Sequence, residues 1–289
     1  MSEGSRTSFP RVAVLGAGTM GAGIAQVCAQ AGSEVTLRDT EAAYVQRGLG
    51  TIRDFLERGV QKGKVEAAAR DATLSRIVTT TDLAAAVRDA DLVVEAVPED
   101  LAIKREVFAQ AARSGRDDAV LATNTSSLSL ARIFDGLPSP ERCIGMHFFN
   151  PVPIMGLLEI VRPDRCSDAT LDKVYAYAVQ IGKEAIVVRD SPGFATSRLG
   201  VCLGLEAIRM VEAGVATAAD IDKAMELGYR HPMGPLRLMD LVGLDVRLAI
   251  ADYLRVALDS PVFEAPALMR QMVAEGRLGK KSGRGFYEW

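Results

Sequence analysis

The 289-residue sequence has no run of about 18 consecutive apolar residues, the length needed to cross a bilayer as a helix. Its first ten residues also lack the apolar stretch of a secretory signal peptide. We therefore expect no membrane segment and no membrane partner. The chain is 48% hydrophobic and 25% charged, which is typical of a globular protein with one large or two modest domains.

Cysteine is scarce and widely spaced, with four residues and no Cys-x-x-Cys pair: Cys28, Cys143, Cys166 and Cys202. This spacing predicts neither a metal site nor a disulfide framework, so we expect a reduced, cytoplasmic protein without a bound metal. The formal net charge of −3 gives no overall basic surface for nucleic acid. A local basic patch for phosphate groups is still compatible with it.

The pattern of the chain changes at Asp190. Before it, short apolar runs typical of buried strands alternate with helical periodicity; after it, strand patterns largely stop and helices follow, including one over 235–258. This predicts an α/β domain over 1–190, with a Rossmann-type doubly wound, mostly parallel sheet, and a smaller all-α domain over 191–289. The charged segment 41–70 is too long for a plain crossover helix and predicts a helical excursion.

A glycine-rich turn, Gly16-x-Gly18-x-x-Gly21, lies between the first strand pattern and the first helix pattern. In a dinucleotide-binding loop the first glycine makes the tight turn, the second lets a pyrophosphate approach, and the third lets helix and strand pack closely. A helix pattern follows over 22–31, and the unpaired N–H groups at a helix N-terminus can face phosphate. Thr19 and Met20 of the turn are further candidate cofactor contacts. This context predicts a nicotinamide dinucleotide site.

Asp39 ends the second strand about 20 residues further on, where such folds bind the adenine ribose. A carboxylate there accepts a hydrogen bond from the 2′-hydroxyl and repels a 2′-phosphate, which favours NAD over NADP. The neighbouring Arg38 is compatible with the opposite preference, for NADP, because a basic side chain there can bind a 2′-phosphate.

His147 is the candidate catalytic base, since it ends an apolar run just before a proline-rich loop. Imidazole suits general-base catalysis near neutral pH, and oxidation of an alcohol by hydride transfer needs such a base. Glu159 lies in an otherwise apolar strand, where a carboxylate is costly unless paired. The hypothesis is that the two side chains meet, although their spacing alone does not show it.

Other polar residues admit ordinary structural roles. His231, beside a proline at a predicted helix end, is interpreted as structural or as a support for another residue. Asn124, Ser126, Ser127 and Asn150 lie at predicted strand ends, where helix capping and Asx turns also use these residue types.

Together these segments resemble the L-3-hydroxyacyl-CoA dehydrogenase family, which includes 3-hydroxybutyryl-CoA dehydrogenases. The resemblance covers essentially the whole chain and is carried by GAGTMGAGIAQ (16–26), DLVVEAVPED (91–100), TNTSSL (123–128), GMHFFNPVP (145–153), LLEIV (157–161), DSPGF (190–194), GYRHPMGP (228–235) and GKKSGRGFYEW (279–289). It implies an NAD-dependent oxidoreductase of fatty-acid metabolism and β-oxidation.

The resemblance also implies roles for individual residues. His147 is the base, Glu159 its partner, and Ser126 and Asn150 contact the substrate oxygen and the nicotinamide region. Asp39 holds the adenine ribose, and the remaining implied cofactor contacts are Glu99, Lys104 and Lys281. The basic helical region after Asp39 corresponds to the part of the family that meets CoA. Its candidate residues, for which an ordinary solvated helix face is an equally good explanation, are Arg53, Arg58 and Lys62.

One position departs from the family pattern. Relatives commonly have PGF-x-x-N-R, whereas this chain has Ser197 in place of the Asn. The shorter side chain puts the family's hydrogen bond to the substrate acyl region in question. This departure keeps open a first alternative, a dehydrogenase of a non-CoA hydroxy acid such as carnitine or a sugar acid. A second alternative is a non-catalytic, crystallin-like NAD-binding protein, against which the presence of both His147 and Glu159 argues. The apolar helices of the second domain predict a homodimer.

Overall fold

One eight-stranded sheet organises the first part of the chain. The structure, a computed structural model, describes residues 7–289 and divides the chain into two units, one ending at Asp190 and one spanning Ser191–Trp289. The strands of the first unit are β1 (Arg11–Leu15), β2 (Glu34–Arg38), β3 (Ile77–Thr80), β4 (Leu92–Glu95), β5 (Val120–Thr123), β6 (Cys143–Phe148), β7 (Leu157–Arg162) and β8 (Glu184–Arg189).

The strand order is β3-β2-β1-β4-β5-β6-β7-β8, and only the β6–β7 pair is antiparallel. The first six strands thus have the 3-2-1-4-5-6 order of a dinucleotide-binding sheet, as the sequence predicted. Strands β4 and β5 are buried at every residue. Their uninterrupted apolar character follows because both faces of the sheet are covered.

Within the described residues 7–190, seven α-helices connect these strands. They are α1 (Thr19–Gln30), α2 (Ala42–Gln61), α3 (Ala67–Ser75), α4 (Leu83–Val87), α5 (Leu101–Ser114), α6 (Leu130–Ile133) and α7 (Asp168–Gln180). The segment after β2 forms the two helices α2 and α3. The buried residues of α2 recur every three or four positions, at Val45, Gly48, Ile52 and Leu56. At Gly48 a Cβ would approach the Ala17 carbonyl to 2.5 Å, so α2 packs directly against the glycine-rich loop.

The second unit contains the helices α8 (Thr196–Glu212), α9 (Ala218–Gly228), α10 (Pro235–Val242), α11 (Leu244–Ala257) and α12 (Ala267–Ala274). The prediction of one helix over 235–258 was wrong. Gly243 adopts φ 107°, a conformation outside the helical region, so α10 ends there and α11 begins as a separate helix. None of the helices in the described part of the chain is both long and apolar enough to cross a membrane.

Asp240 fixes the C-terminal segment within this second unit. Its carboxylate is fully buried and accepts hydrogen bonds from Phe286 N, Tyr287 N and Trp289 Nε1, each at 3.0 Å. A buried carboxylate is stable only when paired in this way. The residues of GKKSGRGFYEW are therefore held to α10 rather than left as a loose tail.

Candidate active site

The glycine-rich loop has the shape required for a pyrophosphate. Gly16 adopts φ 106°, and a Cβ there would overlap the Ala96 carbonyl, while a Cβ on Gly21 would overlap the Gly16 carbonyl. A Cβ on Gly18, by contrast, would meet no protein atom within 4 Å. Gly16 and Gly21 are thus required for close packing, whereas Gly18 leaves open space beside the start of α1.

The N-terminus of α1 fits an anion from its own chemistry. Its first residues, Thr19 and Met20, follow Gly18, which supplies no side-chain cap, and the first turn contains no acidic residue. The first N–H groups of a helix have no partner within the helix and carry the positive end of its dipole. The predicted contacts at Gly18, Thr19 and Met20 therefore lie around one open, electropositive position that suits a pyrophosphate.

Asp39 lies beside this loop, immediately after β2. Its Oδ2 accepts a hydrogen bond from Ala17 N at 2.7 Å, and its Oδ1 accepts one from Thr40 N at 2.7 Å. The carboxylate oxygens retain further lone pairs with which a ribose hydroxyl can bond. Arg38 directs its Nε to the Thr81 carbonyl at 3.2 Å.

His147 and Glu159 meet between β6 and β7, the sixth and seventh strands in the order of the sheet. The antiparallel register of β6 and β7 places them directly opposite each other, and His147 Nδ1 lies 2.8 Å from Glu159 Oε2. Only 6% of His147 and none of Glu159 is exposed to solvent. Such a buried carboxylate fixes the orientation of the imidazole ring.

The loop after β6 carries Asn150 and is anchored at both ends. At its start, Asn124 Oδ1 accepts a hydrogen bond from Phe148 N at 2.9 Å. At its end, the ammonium group of Lys183 donates to the carbonyls of Val152 at 2.6 Å and Met155 at 2.7 Å. Lys183 is 7% exposed, and burial lowers the pKa of its ammonium group. Asn150 itself is exposed at the start of this fixed loop.

Ser126 is positioned by a carboxylate–lysine network that lies under it. Glu99 Oε1 accepts hydrogen bonds from Ser126 N at 3.1 Å and from Thr125 Oγ1 at 2.5 Å. Lys104, 1% exposed, places its Nζ 3.1 Å from Glu99 Oε2 and 2.7 Å from Glu95 Oε1. Glu95 is fully buried, and burial raises the pKa of its carboxyl group, partly offset by Lys104. Lys104 is thus committed to two carboxylates.

The other predicted residues lie apart from these contacts. Arg53, Arg58 and Lys62 are exposed on or at the end of α2. Arg58 and Lys62 are four residues apart and share a side of the helix, whereas Arg53 lies about 140° around it from Arg58. In the second unit, Ser197 is buried on α8, and Lys281 Nζ forms an ion pair with Asp245 Oδ1 at 2.5 Å.

Sequence reasoning missed Glu95 and Lys183 as parts of this arrangement. Glu95 ends an apolar strand, which is the same signal that singled out Glu159, and it deserved the same interpretation. Lys183 lies just before the strand β8, where a lysine is not unusual, so nothing in the sequence indicates its role. Its role arises from the backbone carbonyls of a distant loop.

Comparisons with known proteins agree with this geometry. The model of the 3-hydroxyacyl-CoA dehydrogenase NAD-binding domain matches residues 11–191, and that of its C-terminal domain matches residues 193–289. A 3-hydroxybutyryl-CoA dehydrogenase of Mycobacterium tuberculosis is 47% identical over 98% of this chain and 99% of its own length. The resemblance stated from the motifs is confirmed.

Solved structures give the same result for the fold. The crystal structure of M. tuberculosis FadB2 has a TM-score of 0.94 and 46% identity, covering 97% of this chain and 99% of its own. The (S)-3-hydroxybutyryl-CoA dehydrogenase PaaH1 of Ralstonia eutropha has a TM-score of 0.92 and 39% identity with the same coverage.

The glycine-rich loop generates a prediction that separates ligand binding from packing. Gly18→Ala should weaken NADH binding roughly tenfold or more with little change in Tm, since its Cβ meets only the space for the pyrophosphate. Gly21→Ala should lower Tm, because its Cβ overlaps the Gly16 carbonyl. Fluorescence titration of NADH and thermal unfolding measure both effects. Gly50→Ala, on α2 with open space around it, is the control; unchanged NADH affinity in Gly18→Ala contradicts the assignment.

Proposed function

The chain belongs to the 3-hydroxyacyl-CoA dehydrogenase family, and we propose that it catalyses the reversible oxidation of an L-3-hydroxyacyl-CoA to the 3-ketoacyl-CoA. Its cofactor is NAD, for which the loop at Gly16–Gly21 and the start of α1 provide the fitting site. When bound, NAD supplies the acceptor for the hydride that leaves C3 of the substrate. The observation that carries the proposal is the buried His147–Glu159 pair.

His147 removes the proton from the substrate hydroxyl as the C–H bond breaks. Donation of the Nδ1 hydrogen to Glu159 fixes the tautomer in which Nε2 accepts that proton. The Glu159 carboxylate then stabilises the imidazolium cation. In the reverse direction the same pair returns the proton to the oxygen of the 3-keto group.

Ser126 and Asn150 hydrogen-bond the reacting oxygen and the nicotinamide region in this proposal, and Asp39 binds the adenine ribose. Glu99 contacts the cofactor region, and Lys104 positions Glu99 instead of touching NAD itself, since its ammonium group is buried against Glu95 and Glu99. Ser197 contacts the acyl chain in this proposal. Lys281, in the C-terminal segment, contacts the cofactor.

Arg58, Lys62 and Arg53 bind the phosphate groups of CoA. They are exposed cations on α2 or, for Lys62, just after its end, and α2 is the helix that packs against the glycine-rich loop at Gly48. A short acyl chain, as in the 3-hydroxybutyryl-CoA named for relatives, is the proposed substrate range. The four cysteines form no disulfide, which supports a reducing compartment, the cytoplasm. The proposed activity places the enzyme in fatty-acid metabolism.

The function is tested by following NADH oxidation with acetoacetyl-CoA and with free acetoacetate. We expect turnover of the thioester only, and His147→Ala should lower kcat by about 10²–10⁴-fold, the usual contribution of a general base, with NADH affinity retained. His231→Ala, which changes the other histidine of the chain, is the matched control and should stay within about threefold of the parent. Turnover of free hydroxy acids alone, or of nothing, would favour the alternatives; an active His147→Ala would remove that residue from its role.

The second unit is proposed to form a homodimer. Several of its apolar side chains are strongly exposed, among them Leu199 at 70%, Leu227 at 75% and Val256 at 81%. The proposal is that these side chains belong to an apolar surface through which two chains associate. Light scattering should give about twice the chain mass of 30.9 kDa, and a mass equal to one chain at micromolar concentration contradicts the dimer.

A further inference from the structure

Arg247 on α11 is a buried cation that the proposed reaction does not use. Only 8% of the residue is exposed, and its Nε has no hydrogen-bond partner among the described residues. Burial lowers the pKa of the guanidinium, with no carboxylate of the described chain opposing that effect. Asp245, two residues earlier, projects from a different side of the helix and pairs with Lys281.

A buried guanidinium without an anion is costly to the fold. Arginine stays protonated under all ordinary conditions, so burial cannot be relieved by loss of the proton. Buried charges in proteins are therefore paired, or they face a ligand that pairs with them. The planar guanidinium is suited to a bidentate hydrogen bond with a carboxylate.

The position of Arg247 suggests which part of a substrate it meets. A Cβ on Gly200 of α8 would lie 3.3 Å from Arg247 Nη1 and 3.6 Å from Nη2, so the guanidinium lies against the helix where the side chain is missing. Ser197 is buried one turn earlier, three residues away, and so shares this face of α8. Ser197 stands where relatives commonly have the Asn of the acyl region.

We propose that Arg247 binds a carboxylate on the acyl part of the substrate, and that the enzyme acts on 3-hydroxyacyl-CoA esters whose short acyl chain ends in a carboxylate. This inference rests on the proposed function. Ser197 is shorter than the family amide and Gly200 has no side chain, so the two positions leave room for the guanidinium beside the chain end. The phosphates of CoA are better matched by the exposed cations of α2, since a single buried guanidinium neutralises only one charge.

The test compares two six-carbon substrates under NADH: 3-ketoadipyl-CoA, which ends in a carboxylate, and 3-ketohexanoyl-CoA, which ends in a methyl group. The parent enzyme should have a kcat/KM at least tenfold higher for the carboxylate-ended ester. Arg247→Met should lower that kcat/KM by about ten- to a hundredfold, the usual range for a lost charge-assisted hydrogen bond, and change the value for the methyl-ended ester less than threefold. Arg255→Met, on the same helix with its exposed ion pairs, is the control and should keep the preference.

Stability gives a second readout that needs no substrate. Without ligand, Arg247→Met should have a Tm equal to or above that of the parent protein, because it removes an unpaired buried charge. A clear fall in Tm would mean that the guanidinium is satisfied within the fold and would overturn the proposal. Failure of Arg247→Met to fold would likewise overturn the proposal. The substrate preference itself is measured on the parent enzyme, as the ratio of kcat/KM for the two esters.

Each kinetic outcome has a separate meaning. Equal or better turnover of the methyl-ended ester by the parent enzyme overturns the Arg247 inference and leaves the proposed function intact. No turnover of either ester or of acetoacetyl-CoA refutes the proposed function itself. Free CoA is included as an inhibitor, because equal weakening of CoA inhibition and of the carboxylate preference in Arg247→Met would assign the guanidinium to a phosphate instead.

Discussion

The antiparallel pairing of β6 with β7 is the constraint on which the contact between His147 and Glu159 depends. Parallel strands need a crossover of about a dozen residues or more, and the connection over residues 149–156 is too short for one. Strand β7 must therefore return beside β6 in the opposite direction. That return brings Glu159 opposite His147, and burial of both makes their hydrogen bond obligatory, since an isolated carboxylate there would be strongly destabilising.

Buried charged side chains also fix the segments around the His147–Glu159 pair, because each buried charge is paired with specific partners. Lys183 fixes the loop that begins at Asn150 through two backbone carbonyls, and Val152 of that loop packs against Gly23 of α1. The loop that carries Asn150 and helix α1 are thereby in direct contact. On the other side, the Glu95–Lys104–Glu99 network fixes the backbone at Ser126. Precise placement of this kind contributes to rate because small displacements of reacting groups are costly.

The fold was largely predictable because its signals are local. Buried strands, a glycine-rich turn and an acid at the end of the second strand specify a dinucleotide-binding sheet, and the periodicity after Asp190 specifies helices. The prediction failed at Gly243, where helical periodicity continues across a residue whose backbone turns the chain. Periodicity registers which residues face the core, and two consecutive helices can share that pattern.

The site was predictable where one residue type is unusual in its setting, as with Glu159 in an apolar strand. It was not predictable where the partner is backbone or is distant in sequence. Lys183 binds carbonyl groups about 30 residues away, separations of 31 and 28 positions. Arg247 in an amphipathic helix gives no sign in the sequence that its guanidinium is buried. Both depend on packing that only the assembled fold provides.

In the proposed reaction, Glu159 acts through His147. A double-mutant cycle of His147→Ala, Glu159→Gln and the combined variant, with kcat measured for acetoacetyl-CoA reduction, tests it most directly. Glu159→Gln should lower kcat about tenfold or more when His147 is present and less than twofold when it is Ala. Equal factors in the two backgrounds would show that the two residues act independently and would remove Glu159 from its role as the partner of His147.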